Sequence, residues 1–433
     1  MQDRPHHPTD DSENPSSSPS SSRSRLSRRA FLRGAALAGA SGAVGGGWFR
    51  GGRTPDSDPP PSDMRYRTLG RTDLRVSEIG VGGYPLRDGD LIRYALDHGI
   101  NYVDTSHCYR GGRSEEAIGE GMRGIRDQIV LATKWCPYHI GRPARKQVFI
   151  DMLDASLKRL RTDHVDVLFN HQVGRNSDGQ GLPRLQNPEM YEAWETVKQA
   201  GKARFLGASG HDADLMQIMH WAVDSGRIDV ILCRYSFLDY PEQQKLIDKC
   251  HEKGVGFIAM KTLAGARGAD LDAFRDSYTN FKQAALKWVL SNAKVSNLVI
   301  SMSNRRQVDE YAAASGSPMA ASDYELLDRY ASHFSDQVCR YCGACEEACP
   351  DDVRIADILR FSMYEKEYRQ HGRGSQAYAS LIVSERAAHC AHCNGLCESV
   401  CGYDLPVRTL LIDAHRRLAT GYPRDPGPDA RAG

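Results

Sequence analysis

The sequence lacks an excess of charge of either sign, since 56 lysine and arginine residues stand against 55 aspartate and glutamate residues. Nucleic-acid-binding surfaces carry a basic excess or a basic stripe, so this balance predicts no nucleic-acid partner. The chain also lacks an apolar run of the roughly 20 residues that a membrane-spanning helix needs. No Gly-x-Gly-x-x-Gly opens a helix directly after an apolar strand, which argues against an open doubly wound dinucleotide-binding sheet.

The first 61 residues are predicted to be a disordered tail, an export signal and a linker. Residues 1–26 are rich in Ser, Pro, Arg and His and lack an apolar period. Paired arginines at 28–29, the triplet Phe-Leu-Arg at 31–33 and a weakly apolar Gly/Ala stretch over 34–47 follow. This pattern resembles a twin-arginine signal, and a basic disordered tail is the alternative. The signal predicts that the twin-arginine machinery exports the protein to a periplasmic or other extracytoplasmic location.

Residues 62–320 alternate short apolar runs with amphipathic helical stretches. Eight apolar runs occur, the first at Val76–Gly80 and the last at Leu298–Ser301. Such alternation predicts a parallel sheet covered by helices, and eight units in about 250 residues are typical of a closed (β/α)8 TIM barrel. An open doubly wound sheet is the alternative. Met64–Leu69 and Leu74–Ile79 predict a small hairpin at the base of the barrel.

Ionisable residues follow three successive predicted strands, at the end of a barrel where chemistry is expected. Asp104, Lys134 and His171 stand at strand ends, and Tyr109 follows Asp104 by five positions. Together they predict a site that protonates a carbonyl oxygen. Tyr109 is the predicted acid, and the ammonium of Lys134 is expected to lower its pKa. Asp104 is expected to hold Lys134, and His171 to donate a hydrogen bond to the substrate oxygen.

These segments resemble the aldo/keto reductase family, which uses an Asp–Tyr–Lys–His tetrad on an eight-stranded barrel. The resemblance covers roughly Met64–Ser315 and rests on five stretches, RYRTLGRTDLRVSEIGVGG, DTSHCYRGGRSEEAIG, GASGH, FIAMKTLAGA and SMSNRRQVDE. It implies oxidoreductase activity on a small-molecule carbonyl or alcohol substrate with NADP(H) or NAD(H). It also implies a cofactor-binding set, which comprises Ser209 for the carboxamide, Tyr235 stacked on the nicotinamide, Met260, Lys261, Leu263 and Gly265 along the pyrophosphate, and Ser303, Arg306, Gln307 and Glu310 at the adenosine end.

Cysteine is concentrated in the C-terminal region, where residues 330–421 are predicted to form a small, mostly helical, ferredoxin-like domain. Eight of the twelve cysteines lie there. The first run, Cys339-x2-Cys342-x2-Cys345-x3-Cys349-Pro, has the spacing of a bacterial [4Fe–4S] motif. The second, Cys390-x2-Cys393-x3-Cys397-x3-Cys401, carries one extra residue and lacks the proline.

In two-cluster ferredoxins the fourth cysteine of each run binds the other cluster. The spacing therefore predicts two [4Fe–4S] clusters, one held by Cys339, Cys342, Cys345 and Cys401 and the other by Cys390, Cys393, Cys397 and Cys349. Zinc sites and disulfides are the alternatives. Some members of the resembled family carry such an extension. Residues 422–433 are predicted to be a disordered tail.

Two functions remain open from the sequence. The first is a hydride-transferring barrel coupled to clusters that exchange electrons with a redox partner protein or a quinone. The second is an exported electron-transfer or binding protein with a catalytically silent barrel. A purely structural role for the clusters is a third alternative.

Overall fold

The structure is a computed structural model of the chain. It describes residues 64–137, 144–171, 181–211, 214–238, 241–263, 278–334, 337–366 and 372–420. The predicted export signal and linker, the C-terminal tail after 421 and the cofactor residue Gly265 lie outside these ranges and stay predictions.

Eight parallel strands close into a barrel, which confirms the predicted (β/α)8 architecture. A two-stranded antiparallel hairpin, β1 (Tyr66–Thr68) and β2 (Arg75–Ser77), precedes it, as expected. The barrel strands are β3 (Ile79–Gly82), β4 (Tyr102–Asp104), β5 (Val130–Trp135), β6 (Val165–His171), β7 (Ala203–Ser209), β8 (Val230–Arg234), β9 (Gly256–Met260) and β10 (Asn297–Ser301). Strand β10 pairs with both β9 and β3, and this pairing closes the ring.

Helices follow the strands and form the outer layer. In the barrel region they are α1 (Asp90–Asp97), α2 (Arg113–Gly121), α3 (Lys146–Leu160), α4 (Gly181–Leu185), α5 (Pro188–Gln199), α6 (Leu215–Asp224), α7 (Pro241–Glu252), α8 (Tyr278–Leu290), α9 (Arg305–Ala312) and α10 (Ala321–His333). The predicted barrel ends at residue 320 and the predicted ferredoxin-like domain begins at residue 330, so the residues between them belong to neither. Helix α10 occupies this stretch and packs on the barrel, where the Tyr330 ring stacks on Phe281 with 4.4 Å between centroids.

The first predicted apolar run, Val76–Gly80, is divided between two elements. Val76 belongs to the hairpin strand β2, whereas Gly80 lies in β3. Leu69, Leu74 and Val76 pack into the interior of the barrel against the strand side chains. The hairpin therefore fills the amino-terminal end of the barrel, and the carboxyl end is left for chemistry.

The C-terminal region, residues 337–366 and 372–420, is called the cysteine module below. Its helices are α11 (Ala344–Glu347), α12 (Ile355–Lys366), α13 (Arg373–Ala379), α14 (Leu396–Ser399) and α15 (Val407–Ala419). Three of its cysteines, Cys345, Cys390 and Cys397, are buried in one apolar cluster with residues of α12 and α15. Within the described ranges no helix is long and apolar enough to cross a membrane.

Candidate active site

Three ionisable side chains lie towards the carboxyl ends of three neighbouring barrel strands. Asp104 ends β4, Lys134 lies in β5 and His171 ends β6. Each of the three is buried. Tyr109 joins them from a short 3-10 turn after β4 and is partly buried. In a parallel barrel these strand ends meet on one rim, which brings the four side chains to one place.

Lys134 and Asp104 form a buried ion pair at this rim. The Nζ atom of Lys134 lies 2.6 Å from each carboxylate oxygen of Asp104 and 2.6 Å from the carbonyl oxygen of Thr105. The same ammonium is 4.7 Å from the centroid of the Tyr109 ring. The Tyr109 and His171 ring centroids are 6.3 Å apart, edge to face. All four residues predicted to be catalytic are therefore neighbours.

The pKa of Tyr109 differs from the sequence-based expectation. Burial raises it well above its usual value, and the Asp104 carboxylate acts in the same direction, while Arg373 opposes them. Lys134 was expected to lower the Tyr109 pKa, but this effect does not outweigh burial. The Lys134 charge is neutralised by the two carboxylate oxygens of Asp104. The Tyr109 phenol is therefore protonated near neutral pH.

His171 is held in its neutral form. Burial lowers its pKa well below the usual value, and the positive charges of Lys134 and Arg373 lower it further. Its Nδ1 atom lies 3.3 Å from the hydroxyl oxygen of Ser209, at the end of β7. Ser209, which was predicted to touch the cofactor, thus lies beside the tetrad and orients the imidazole.

The comparison with known proteins agrees with this geometry. The aldo/keto reductase family matches residues 87–281, a segment that contains all four tetrad residues and ends before the cysteine module. The L-galactose dehydrogenase of Arabidopsis thaliana is 30% identical over 286 residues, which cover 58% of this chain and 88% of that protein. The chain belongs to the aldo/keto reductase family. It is an oxidoreductase, as the sequence predicted.

Other similar proteins are reductases of the same family. The NADH-specific methylglyoxal reductase of Escherichia coli is 29% identical over 223 residues, covering 44% of this chain and 65% of that protein. An aldo-keto reductase of Bacillus halodurans in its holo form superposes with a TM-score of 0.51 at 25% identity, covering 61% of this chain and 96% of that one. An aldo-keto reductase of Klebsiella pneumoniae in complex with NADPH gives a TM-score of 0.50 at 25% identity, covering 62% of this chain and 95% of that one.

Tyr235, the residue predicted to stack on the nicotinamide, packs against the outer helices. Its ring centroid is 5.1 Å from that of Trp288 of α8, and its hydroxyl donates a hydrogen bond to Gln244 of α7. Its contact with the nicotinamide stays a prediction. Side chains alternate along a strand. Because Leu232 of β8 belongs to the interior cluster, Tyr235 falls on the outer side, between the strands and the helices.

The other predicted cofactor residues fall into two groups. Met260 packs against the interior cluster, Leu263 is buried, and Lys261 follows β9 with a positive φ of 56°. Ser303 and Arg306 are exposed at the start of α9.

Three of the residues predicted at the adenosine end already have partners within the protein. The Oε1 atom of Gln307 accepts bonds from the Ser303 amide and hydroxyl at 2.8 and 3.0 Å. Glu310 is paired with Lys282 of α8 at 3.0 Å. The first half of α9 is thus open to a ligand, whereas Glu310 is committed to a structural ion pair.

The sequence reasoning missed several cysteine-module residues that reach the mouth of the barrel. The Arg373 guanidinium lies 5.2 Å from the ring centroid of Tyr84 and 4.5 Å from that of Tyr364. The Tyr84 ring is in turn 5.7 Å from Tyr109. Lys261 lies 5.9 Å from the Tyr364 ring. The sequence signal for this contact was the pair Arg360 and Tyr364. They are four positions apart on α12 and therefore lie on one polar face of the helix.

A second contact joins the barrel to the first cysteine run. Arg234 at the end of β8 donates a 2.6 Å hydrogen bond to the carbonyl oxygen of Arg340. Its guanidinium also lies 4.2 Å from the centroid of the Tyr341 ring. Arg340 and Tyr341 stand between Cys339 and Cys342, so that this cysteine loop contacts the rim of the barrel directly.

The two cysteine runs adopt the same local structure. Glu346, which follows Cys345, accepts a 2.8 Å hydrogen bond from the amide of Ala356 at the start of α12. Glu398, which follows Cys397, accepts a 2.9 Å bond from the amide of Arg408 at the start of α15. The amides of both fourth cysteines donate to the carbonyls of these glutamates at 3.2 Å. The extra residue of the second run lies before this repeated unit and leaves it intact.

The fourth cysteine of the first run lies beside the second run. Burial raises the pKa of Cys390 to about 12, and the neighbouring thiolates of Cys393, Cys349 and Cys397 raise it in the same direction. Cys349 also raises the pKa of Cys397. Cys349 of the first run therefore lies near cysteines of the second run, and the crosswise ligand set stays a prediction.

Proposed function

We propose that the barrel reduces a carbonyl group of a small molecule, with NADPH as the hydride donor. The observation that carries this proposal is the buried pair of Lys134 and Asp104, whose ammonium lies 4.7 Å from the Tyr109 ring. Members of the family solved with NADPH support the choice of cofactor. Arg306, exposed at the start of α9, is the cation available for the 2′-phosphate.

In the proposed reaction, bound NADPH supplies the hydride that adds to the carbonyl carbon. The Tyr109 hydroxyl donates its proton to the carbonyl oxygen, which yields the alcohol. Lys134, held by Asp104, stabilises the phenolate left on Tyr109. The Ser209 hydroxyl can donate to Nδ1 of His171, which leaves the Nε2 proton free to bond the substrate oxygen as its charge develops.

The variant Tyr109→Phe tests this reaction. We expect carbonyl reduction by the anaerobically purified protein to fall at least about 100-fold, since general-acid catalysis contributes about that much or more. Binding of NADPH, followed by nicotinamide fluorescence, should be unchanged. Tyr66→Phe is the matched control, because the Tyr66 hydroxyl bonds Gly99 at the base hairpin. Unchanged turnover in Tyr109→Phe would show that the assignment of Tyr109 as the acid is wrong. No binding of either NADPH or NADH would favour the catalytically silent barrel.

We propose further that the cysteine module holds two [4Fe–4S] clusters that exchange electrons with a redox protein or a quinone. The repeated loops and the position of Cys349 support this ligand set. The tight run of four cysteines at positions 339–349 favours a cluster over zinc, which usually separates its two cysteine pairs by a longer loop.

Iron and sulfide content test the cluster proposal, with about eight of each expected per chain. In Cys349→Ser the cluster assigned to Cys390, Cys393 and Cys397 should be lost or altered in the electron paramagnetic resonance spectrum of the reduced protein. In Cys401→Ser the other cluster should change. If Cys349→Ser altered the first cluster instead, the crosswise pairing would be wrong.

Export by the twin-arginine route is the third part of the proposal, and it rests on the sequence alone. Replacement of Arg28 and Arg29 by lysine should retain the protein in the cytoplasm of a host with this pathway, as measured by cell fractionation. Export of the doubly substituted protein at the normal level would contradict the assignment of a twin-arginine signal.

A further inference from the structure

Two cysteines and the tetrad histidine form a compact cluster at the rim of the barrel. Cys108 lies just before Tyr109, and Cys136 directly follows β5. Their sulfur atoms are 3.1 Å apart. The two sulfurs and a ring nitrogen of His171 all lie within 4.8 Å of one another, and no other trio of candidate ligands in the described ranges is this compact.

We propose that Cys108, Cys136 and His171 bind a zinc ion. Zinc takes thiolate and imidazole ligands at about 2.3 and 2.0 Å, which puts two sulfurs of one site about 3.8 Å apart. The sulfurs need to separate by less than 1 Å to reach that spacing from 3.1 Å. A site with two cysteines, one histidine and an open fourth position is one that zinc adopts in catalytic centres.

The surroundings of the trio suit a metal ion. The Ser106 hydroxyl lies 3.1 Å from each sulfur and can donate a hydrogen bond to one of the two thiolates. The Ser209 hydroxyl, 3.3 Å from Nδ1 of His171, can orient the ring, as partners of metal-bound histidines commonly do. Zinc binding releases the two thiol protons, so that two thiolates neutralise the ion. A neutral complex is compatible with the nearby ammonium of Lys134.

Occupation of this site has a consequence for the reductase. The His171 nitrogen that binds zinc is unavailable to a substrate oxygen. We therefore expect one equivalent of zinc to lower carbonyl reduction at least about tenfold, and a chelator that leaves the clusters intact to restore it. Only this consequence rests on the proposed function, because metal binding is measured independently of turnover.

The test uses the full chain with its clusters intact, purified anaerobically and incubated with one equivalent of Zn²⁺. Zinc retained after gel filtration is measured by mass spectrometry of the metal. The extent to which iodoacetamide alkylates the peptide that contains Cys108 reports whether zinc protects this thiol. Cys108→Ser and Cys136→Ser are compared with Cys250→Ser, a buried cysteine of α7 that is outside the trio.

We expect about one zinc per chain in the parent protein and in Cys250→Ser, with at least about tenfold weaker binding in the other two variants. The Cys108 peptide should be protected from alkylation by zinc, and cluster absorbance should be equal in all four proteins. Equal zinc in Cys108→Ser and the parent would overturn the proposal. A Cys108–Cys136 disulfide in the anaerobic protein would overturn it as well, because the pair would then be an oxidised crosslink.

Discussion

At the scale of single residues, the site depends on a charge that is buried with its partner. Lys134 is 1% exposed and Asp104 is 3% exposed. Removing one member of a buried pair leaves the other charge without compensation, which is far more destabilising than losing an exposed pair. The ion pair therefore affects both the catalytic geometry and the stability of the barrel.

Asp104→Asn should destabilise the barrel by about 3–5 kcal/mol, because the Lys134 ammonium would stay buried without a carboxylate. Urea unfolding followed by tryptophan fluorescence measures this, since the cysteine module contains no tryptophan. Asp163→Asn is the control, as Asp163 pairs with His164 while remaining 94% exposed. Equal unfolding midpoints for the two variants would mean that the buried pair contributes nothing.

Arg373 lowers the pKa of Tyr109 against the dominant effect of burial. In Arg373→Gln this opposing charge is lost, so the Tyr109 pKa should rise further. Oxidation of the alcohol product needs the phenolate of Tyr109, so the pH profile of the oxidation rate should move to higher pH. Reduction near neutral pH should be unchanged, because Tyr109 is still protonated there. The exposed Arg416→Gln serves as the control. Superimposable pH profiles would show that Arg373 does not act on Tyr109.

At this scale, a residue of the candidate site could be predicted where the sequence immediately around it carried the signal. Asp104, Tyr109, Lys134 and His171 could be found because each follows a strand that the apolar pattern marks. The direction of the Tyr109 pKa shift could not, since burial depends on residues far away in the sequence. The outward position of Tyr235 could not be predicted either, because a shift of one position along the chain moves a side chain from the interior of a strand to its outside.

At the scale of elements, helix α12 brings a second tyrosine to the mouth of the barrel. Burial alone would raise the pKa of Tyr364, but Lys261, Arg360 and Arg373 together lower it to about 8. The sequence showed the apolar face of α12, which packs in the cysteine module. It gave no indication that the opposite face contacts the loop after β9.

Tyr364 should therefore ionise near pH 8, and the tyrosinate absorbance near 295 nm should show one such step in the parent protein that is missing in Tyr364→Phe. The folded protein loses this proton at lower pH than the unfolded chain does. Its stability should consequently rise between about pH 8 and the unfolded value near 10, and Tyr364→Phe should remove that rise. Tyr403→Phe is a control within the same module. If Tyr364→Phe kept the absorbance step near pH 8, the tyrosine that ionises there would be another residue.

At the scale of the whole molecule, the barrel could be predicted far better than the contact between barrel and cysteine module. Eight apolar runs alternating with helices have few closed solutions. The association of the cysteine module with the barrel has no such pattern, because it depends on single long-range contacts such as Arg234 with Tyr341 and Arg373 with Tyr84. The sequence consequently predicted a module beside an enzyme, whereas Arg373 and Tyr364 belong to the mouth of the active site.

If the cysteine module holds the proposed clusters, this arrangement predicts that the proposed carbonyl reduction depends on the iron content of the protein. Three cysteines lie in the apolar cluster that supports α12 and α15, so loss of the clusters should loosen the module and release Arg373 and Tyr364 from the barrel mouth. Stripping iron with a chelator should raise KM for the carbonyl substrate about tenfold or more, equivalent to about 1.4 kcal/mol of lost binding, and reconstitution should reverse the change. NADPH supplies both electrons of the proposed reaction, so a module that served only as an electron carrier would leave KM and kcat unaltered. Kinetics of stripped and reconstituted protein from one preparation therefore distinguish a structural part of the active site from an attached redox chain.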